Sequence, residues 1–181
     1  MIVNIRGTNG SGKSTLVRQA MERFGRVPLY NDLGKEYAYE VPGLEGYVVG
    51  KYVTACGGCD AVKTQAEAKG LVSEFAVKGN VIFEGVLIST IFGPWLEFSR
   101  QNGGMLWAFL DTPYDVCLQR IQIRNGGKPV KEDQVLSKWE TMRRVATKAK
   151  EAGEQVVWLD YREPLPALLA YMAPALRQKA A

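Results

Sequence analysis

The chain has 181 residues, 46% hydrophobic and 23% charged, the composition of an ordinary soluble globular protein with length for one sizeable core. It holds no histidine, which excludes Ser-His-Asp, Cys-His and histidine-ligated metal chemistry and leaves acid–base work to carboxylates; three cysteines, an odd number, argue against a disulfide framework. A net charge of +4 allows a polyanionic partner without requiring one, and no apolar run reaches the length of a membrane span.

Residues 2–5 are a short apolar run. Gly7, Thr8, Asn9, Gly10, Ser11, Gly12, Lys13, Ser14 and Thr15 follow, and residues 13–23 are helix-compatible. Strand, glycine loop, helix is the setting in which G-x-x-x-x-G-K-[ST] cradles phosphates. Its glycines let the backbone turn tightly and aim N–H groups at phosphate oxygens, and the helix adds its positive end. Lys13 brings a mobile charge to the β- and γ-phosphates, and Ser14 a hydroxyl to Mg²⁺. The pattern predicts a nucleoside triphosphate ligand; it does not separate ATP from GTP, and ATP is the usual donor. With this loop starting at Gly7, the opening residues match no secretory leader, and the expected location is cytoplasmic.

Residues 26–30 read as a second strand that ends at Asn31 and Asp32. Glycines and Pro42 predict irregular structure from 33 to 60, a stretch that also holds many of the tyrosines. Residues 61–78 read as a helix with Asp60 as its N-cap. Residues 81–83 are a buried strand that closes on Glu84 and Gly85. A helix over 91–101 turns Trp95 and Phe98 inward, and 105–110 is a strand closed by Asp111. Pro113 starts a helix that runs to Arg124 and breaks at Asn125 to Pro129. A long helix spans 132–152, a last strand 155–159 and a final helix 164–176.

This alternation predicts an α/β fold of three αβα layers, with a five-stranded parallel sheet (2–6, 27–31, 81–84, 105–110, 155–159) and helices on both faces. Ligands of such sheets bind at the carboxyl ends of the strands, where Gly7, Asp32, Glu84 and Asp111 all fall. The whole of 1–181 reads as one domain, with 26–60 as an acceptor-binding insertion and 120–131 as a small lid.

These features resemble the P-loop kinases of nucleotides and nucleic acids. Gly7 to Thr15 matches the loop of that superfamily, and Val81-Ile82-Phe83-Glu84-Gly85 matches its apolar strand with an acidic end. Phe109-Leu110-Asp111-Thr112-Pro113 and the helix after it look like the approach to the lid. The resemblance implies that Arg120 and Arg124 serve the nucleotide and the transferring phosphoryl group. Between 115 and 150 the chain carries nine basic residues against four acidic ones, and phosphoryl transfer rests on positioning and charge neutralisation.

An alcohol acceptor benefits from a carboxylate base, and three carboxylates compete. Tyr30-Asn31-Asp32 looks like the place where polynucleotide kinases hold the acid that takes the hydroxyl proton, with Lys35 set to touch an acceptor phosphate. Glu84 serves either as base or as a holder of Mg²⁺ through water. Asp60 is a third base or a plain helix cap. Cys56-Gly57-Gly58-Cys59 invites a zinc reading that fails for want of partners, since one further cysteine and no histidine remain. Segment 26–60 has a net charge of −2, so a grip on DNA would come from the basic region 115–150.

Val49-Gly50-Lys51-Tyr52, Cys56-Gly57-Gly58-Cys59-Asp60 and Val81-Ile82-Phe83-Glu84-Gly85 together are similar to small kinases of tailed bacteriophages, among them the 5-hydroxymethyluracil DNA kinases. That resemblance implies an ATP- and Mg²⁺-dependent transfer to the hydroxymethyl group of a base in phage DNA, with Tyr52 and Asp60 on the substrate side. Two other readings remain open at this level. One is a deoxynucleoside monophosphate kinase acting on a free nucleotide. The other is a nucleotide-binding regulatory module without catalysis.

Overall fold

The computed structural model describes residues 1–54 and 56–178. Its sheet is built on β1 (Ile2–Arg6), whose side chains are all buried. β5 (Asn80–Glu84) and β6 (Leu106–Asp111) flank it in parallel, and β7 (Gln155–Asp160) adds to β6. These strands read as nearly continuous apolar runs because helices cover both of their faces.

The sheet has seven strands, in the order β2-β3-β4-β5-β1-β6-β7, where five were expected. The two additions are β3 (Glu36–Val41) and β4 (Gly46–Val49), both inside the stretch expected to be irregular. β4 is parallel to β5, but β3 is antiparallel to β4 and to β2 (Val27–Tyr30), so the sheet is mixed. Pro28, which offers no ladder donor, explains why β2 is the outermost strand. Being antiparallel to β3, β2 runs with β4 and β5, and its carboxyl end lies at the P-loop end of the sheet. It lies three strands out from β5, about 14 Å by strand spacing.

One face carries α1 (Lys13–Phe24) and α7 (Pro164–Gln178). There Leu16, Val17, Ala20 and Met21 meet Val3, Ile5, Leu165, Leu168 and Met172. The other face carries α2 (Gln65–Ala76), α4 (Gly93–Gln101) and α6 (Glu132–Glu151). There Phe75, Trp95, Phe98, Met142 and Val145 pack on Phe83, Trp107 and Phe109. The inward turn of Trp95 and Phe98 is as expected.

α2 starts four residues later than expected, because Thr64 caps it by accepting from the Glu67 amide at 3.1 Å. Two further helices are α3 (Val86–Thr90), which had no counterpart in the sequence reading, and α5 (Tyr114–Arg124). Among the described residues no helix is long and apolar enough to cross a membrane.

Close strand packing makes one glycine of β4 a sensitive probe. Gly46 is buried and pairs with Asn80, and a Cβ at 46 would overlap the Asn80 carbonyl. Gly46→Ala is expected to cost about 1–3 kcal/mol, read as a lower urea midpoint at unchanged slope.

Candidate active site

Residues 7–12 leave the carboxyl end of β1 and turn into α1. Gly10 and Gly12 have φ of 76° and 101°, which other residues rarely adopt. Gly10 also lies so close to the Cys117 carbonyl that a Cβ would overlap it. The hydroxyls of Thr8 and Ser11 are buried without a hydrogen-bond partner. A native loop seldom leaves such atoms unpaired, and a ligand rich in oxygen would satisfy them.

Lys13 is buried in this loop, 5% exposed. Its Nζ donates to the Thr8 carbonyl at 3.2 Å and stands 4.0 Å from Glu84 Oε2. Glu84 comes from the end of β5, whose partner in the register is Ile5. Ser14 Oγ donates to Glu84 Oε1 at 2.6 Å and accepts from the Gly57 amide at 3.3 Å. Burial raises the Glu84 pKa above the ordinary carboxylate value, and Lys13 and Ser14 offset part of that rise.

The loop after β4 closes one side. Gly58 (φ 85°) brings its backbone onto Glu84, and a Cβ there would stand 2.6 Å from the Glu84 carbonyl and 2.7 Å from Oε1. Asp60 follows. Its carboxylate accepts from the Val86 amide at 2.8 and 3.0 Å, so it caps α3 rather than α2. Arg18 holds the loop to α1 by donating to the carbonyls of Tyr52 and Thr54.

The far side is basic and aromatic. Arg120 donates to the carbonyls of Gly10 (3.3 Å) and Ser11 (3.4 Å), and its guanidinium lies 5.3 Å from the Tyr161 ring centroid. Asn9 to Leu16, Cys56, Gly57, Asp60, Glu84, Val86, Arg120, Arg124, Tyr161 and Arg162 line one cavity of about 700 Å³. Sheet order sets its polarity. The Gly57, Asp60 and Glu84 wall lies on the β4–β5 side of β1, and the Arg120, Tyr161 and Arg162 wall on the β6–β7 side.

The structure thus gathers most of the predicted residues: the P-loop, Glu84, Asp60, Arg120 and Arg124. It does not gather Asp32 and Lys35, which are exposed in the turn between β2 and β3, outside the cavity. Tyr52 lies behind the loop: its ring sits against Gly57, its hydroxyl is buried without a partner, and burial and Glu84 raise its pKa. Asp111 pairs instead with Arg143 on α6 at 3.0 Å.

Sequence reasoning missed Tyr161 and Arg162, although they follow a strand's carboxyl end just as Asp111 does. It also missed Thr112, which is buried. Thr112 Oγ1 donates to the Ser11 carbonyl at 2.8 Å, and its own carbonyl accepts from Trp139 Nε1 at 3.0 Å. Thr112→Val would leave the Ser11 carbonyl with only the longer bond from Arg120, a loss of about 1 kcal/mol. The expected result is weaker ATP binding by calorimetry, with Thr112→Ser close to the parent.

A family model described as 5-hmdU DNA kinase matches residues 1–157. A 5-hmdU DNA kinase of Pseudomonas phage M6 is 48% identical over 168 residues, covering 85% of this chain and 88% of that protein. A 5-hmdU DNA kinase of Bacillus phage SP10 is 34% identical over 163 residues, which cover 84% of this chain but 26% of that protein. Among solved structures, a gluconokinase from Sinorhizobium meliloti 1021 aligns with a TM-score of 0.51 at 16% identity, covering 98% of this chain and 92% of its own, a likeness of fold alone.

Proposed function

The chain belongs to the 5-hmdU DNA kinase family, and from that membership we propose that it moves the γ-phosphate of ATP to the hydroxymethyl group of 5-hydroxymethyluracil in DNA. The single observation that carries this reading to the site is the polarity of the cavity. The P-loop, with Arg120 and Arg124 beyond it, suits a triphosphate, while the carboxylates of Asp60 and Glu84 suit an uncharged hydroxyl.

In this reading the triphosphate takes up the unpaired hydroxyls of Thr8 and Ser11 and the ammonium of Lys13. The nucleoside lies toward Arg120 and Tyr161. Ser14 and Glu84 offer two oxygen ligands for Mg²⁺, which keeps most of its shell as water and phosphate oxygen. Bound there, the cation would neutralise phosphate charge. Segment 120–131 acts as the lid that brings Arg124 to the transferring group, and the chain, 1–181, works as one catalytic domain.

Asp60, rather than Asp32, is the base. It lines the cavity, and the amides of Val86 and Leu87 fix its position while lone pairs remain free to accept a proton. The acceptor oxygen forms a bond to the γ-phosphorus as the bond to the bridging oxygen of ADP breaks, and the hydroxyl proton passes to Asp60. Asp32, at the tip of an edge hairpin, is too far out for this role.

The test is transfer of radiolabel from ATP to three acceptors: DNA containing 5-hydroxymethyluracil, plain DNA, and free nucleotides. Label is expected in the modified polymer alone; label in free monophosphates alone would move the protein to the monophosphate kinases. Asp60→Asn should lower kcat by about 10²-fold or more, the usual worth of a positioned base. Asp32→Asn should leave it near the parent value. A large loss in Asp32→Asn with a mild one in Asp60→Asn would reverse the assignment.

A further inference from the structure

Arg6, the last residue of β1, is fully buried, and among the described residues it forms no ion pair. Its guanidinium lies 4.0 Å from the Trp107 ring centroid and donates to Asn4 Oδ1. It also donates to the carbonyls of Ser89 (3.5 Å) and Ile91 (3.0 Å), at the carboxyl end of α3. A buried cation without a counter-charge is costly, and burial lowers its pKa well below the usual range. What it secures at that cost is α3, a helix of five residues, too short to hold itself.

Two further ties fix the same helix. The Ser89 hydroxyl donates to the Gly85 carbonyl at 2.7 Å and accepts from the Gly7 amide at 3.1 Å. Asp60 holds the amino end through Val86. The helix is therefore locked to the P-loop at one end and to the carboxylate of the acceptor wall at the other.

The residue that this locked helix presents outward is Leu87, 64% exposed. It follows Val86, which lines the cavity, and its own amide stands 3.5 Å from Asp60 Oδ1. Burial does not explain a leucine there. A base inside duplex DNA cannot reach Asp60 while stacked; it must be extruded, and proteins that part stacked bases use rigid apolar side chains to do so.

We propose that Leu87 is the wedge that fills the gap in the duplex when the acceptor base swings into the cavity. The inference rests on the reading of the protein as a DNA-base kinase and adds that the enzyme opens double-stranded substrate itself. Asp60 then receives the extruded base beside the residue that replaces it in the stack.

The test compares parent, Leu87→Ala and Leu87→Met on three forms of one oligonucleotide: single-stranded, fully paired, and paired but with a mismatch opposite 5-hydroxymethyluracil. Leu87→Ala should lower kcat/KM about tenfold on the paired duplex and about twofold or less on the single strand, with the mismatch restoring most of the loss. Leu87→Met should stay close to the parent on all three. An equal fall on all forms, or no fall on the duplex, would overturn the wedge. So would a parent enzyme that acts on single strands alone, although the DNA-base kinase reading would then stand. Absence of label in every DNA form would defeat that reading itself.

Discussion

A buried ammonium and a buried carboxylate, 4.0 Å apart, set the terms for this molecule. Neither Lys13 nor Glu84 is tolerable in the interior alone, and each holds the other charged group in place. Their meeting depends on one strand pairing. β1 delivers the P-loop one residue beyond Arg6, and β5 delivers Glu84 opposite Ile5. A slip of one residue would turn Glu84 to the other face of the sheet and strand Lys13. The continuous burial of both strands makes such a slip costly, so the register of the core and the electrostatics of the site are one constraint.

The elements above this pair have little stability of their own. α3 spans five residues, and the loop after β4 rests on Gly50, Gly57 and Gly58 pressed against their neighbours. Each is held by a polar contact to something rigid: Asp60 and Arg6 for α3, Arg18 and Ser14 for the loop. Thr112 does the same for the P-loop from the β6 side. The site is thus a set of short segments whose positions are borrowed from the central strands through a few buried hydrogen bonds.

The parts of this plan carried by local pattern were legible in the sequence. The P-loop is a contiguous motif, Glu84 ends an unmistakable apolar run, and the core strands and long helices follow from burial periodicity. The edge of the sheet was not. Residues 36–41 and 46–49 carry strand-forming tyrosines and valines, but the glycines around them signalled loop more strongly. Those tyrosines turned out to be largely core: Tyr37 and Tyr47 stack on Phe75 at 6.1 and 4.6 Å, and Tyr39 meets Tyr52 edge-on. Asp32 was misplaced for a related reason. It does end a strand at the catalytic end of the sheet, but nothing local reveals that two more strands intervene. Asp60 reads as the cap of the helix that follows it, whereas the amides it caps lie 26 residues downstream.

The sidedness of the cavity bears on the choice of acceptor more directly than any single residue. A phosphate acceptor placed on the β4–β5 side would face Asp60, a carboxylate without the counter-charge that Lys13 gives Glu84. The arginines that could accept it, Arg120 and Arg124, lie across the P-loop on the side of Tyr161. A neutral hydroxyl meets no such penalty, because a carboxylate is the group it needs for its proton. The same arrangement keeps the two substrates in line. In the proposed reading the donor would lie along the basic wall, the acceptor would come from the acidic wall, and the γ-phosphate would pass between them at Lys13. A base carried in a polymer suits that geometry, since its charged backbone stays outside the acidic wall while the uncharged base alone enters.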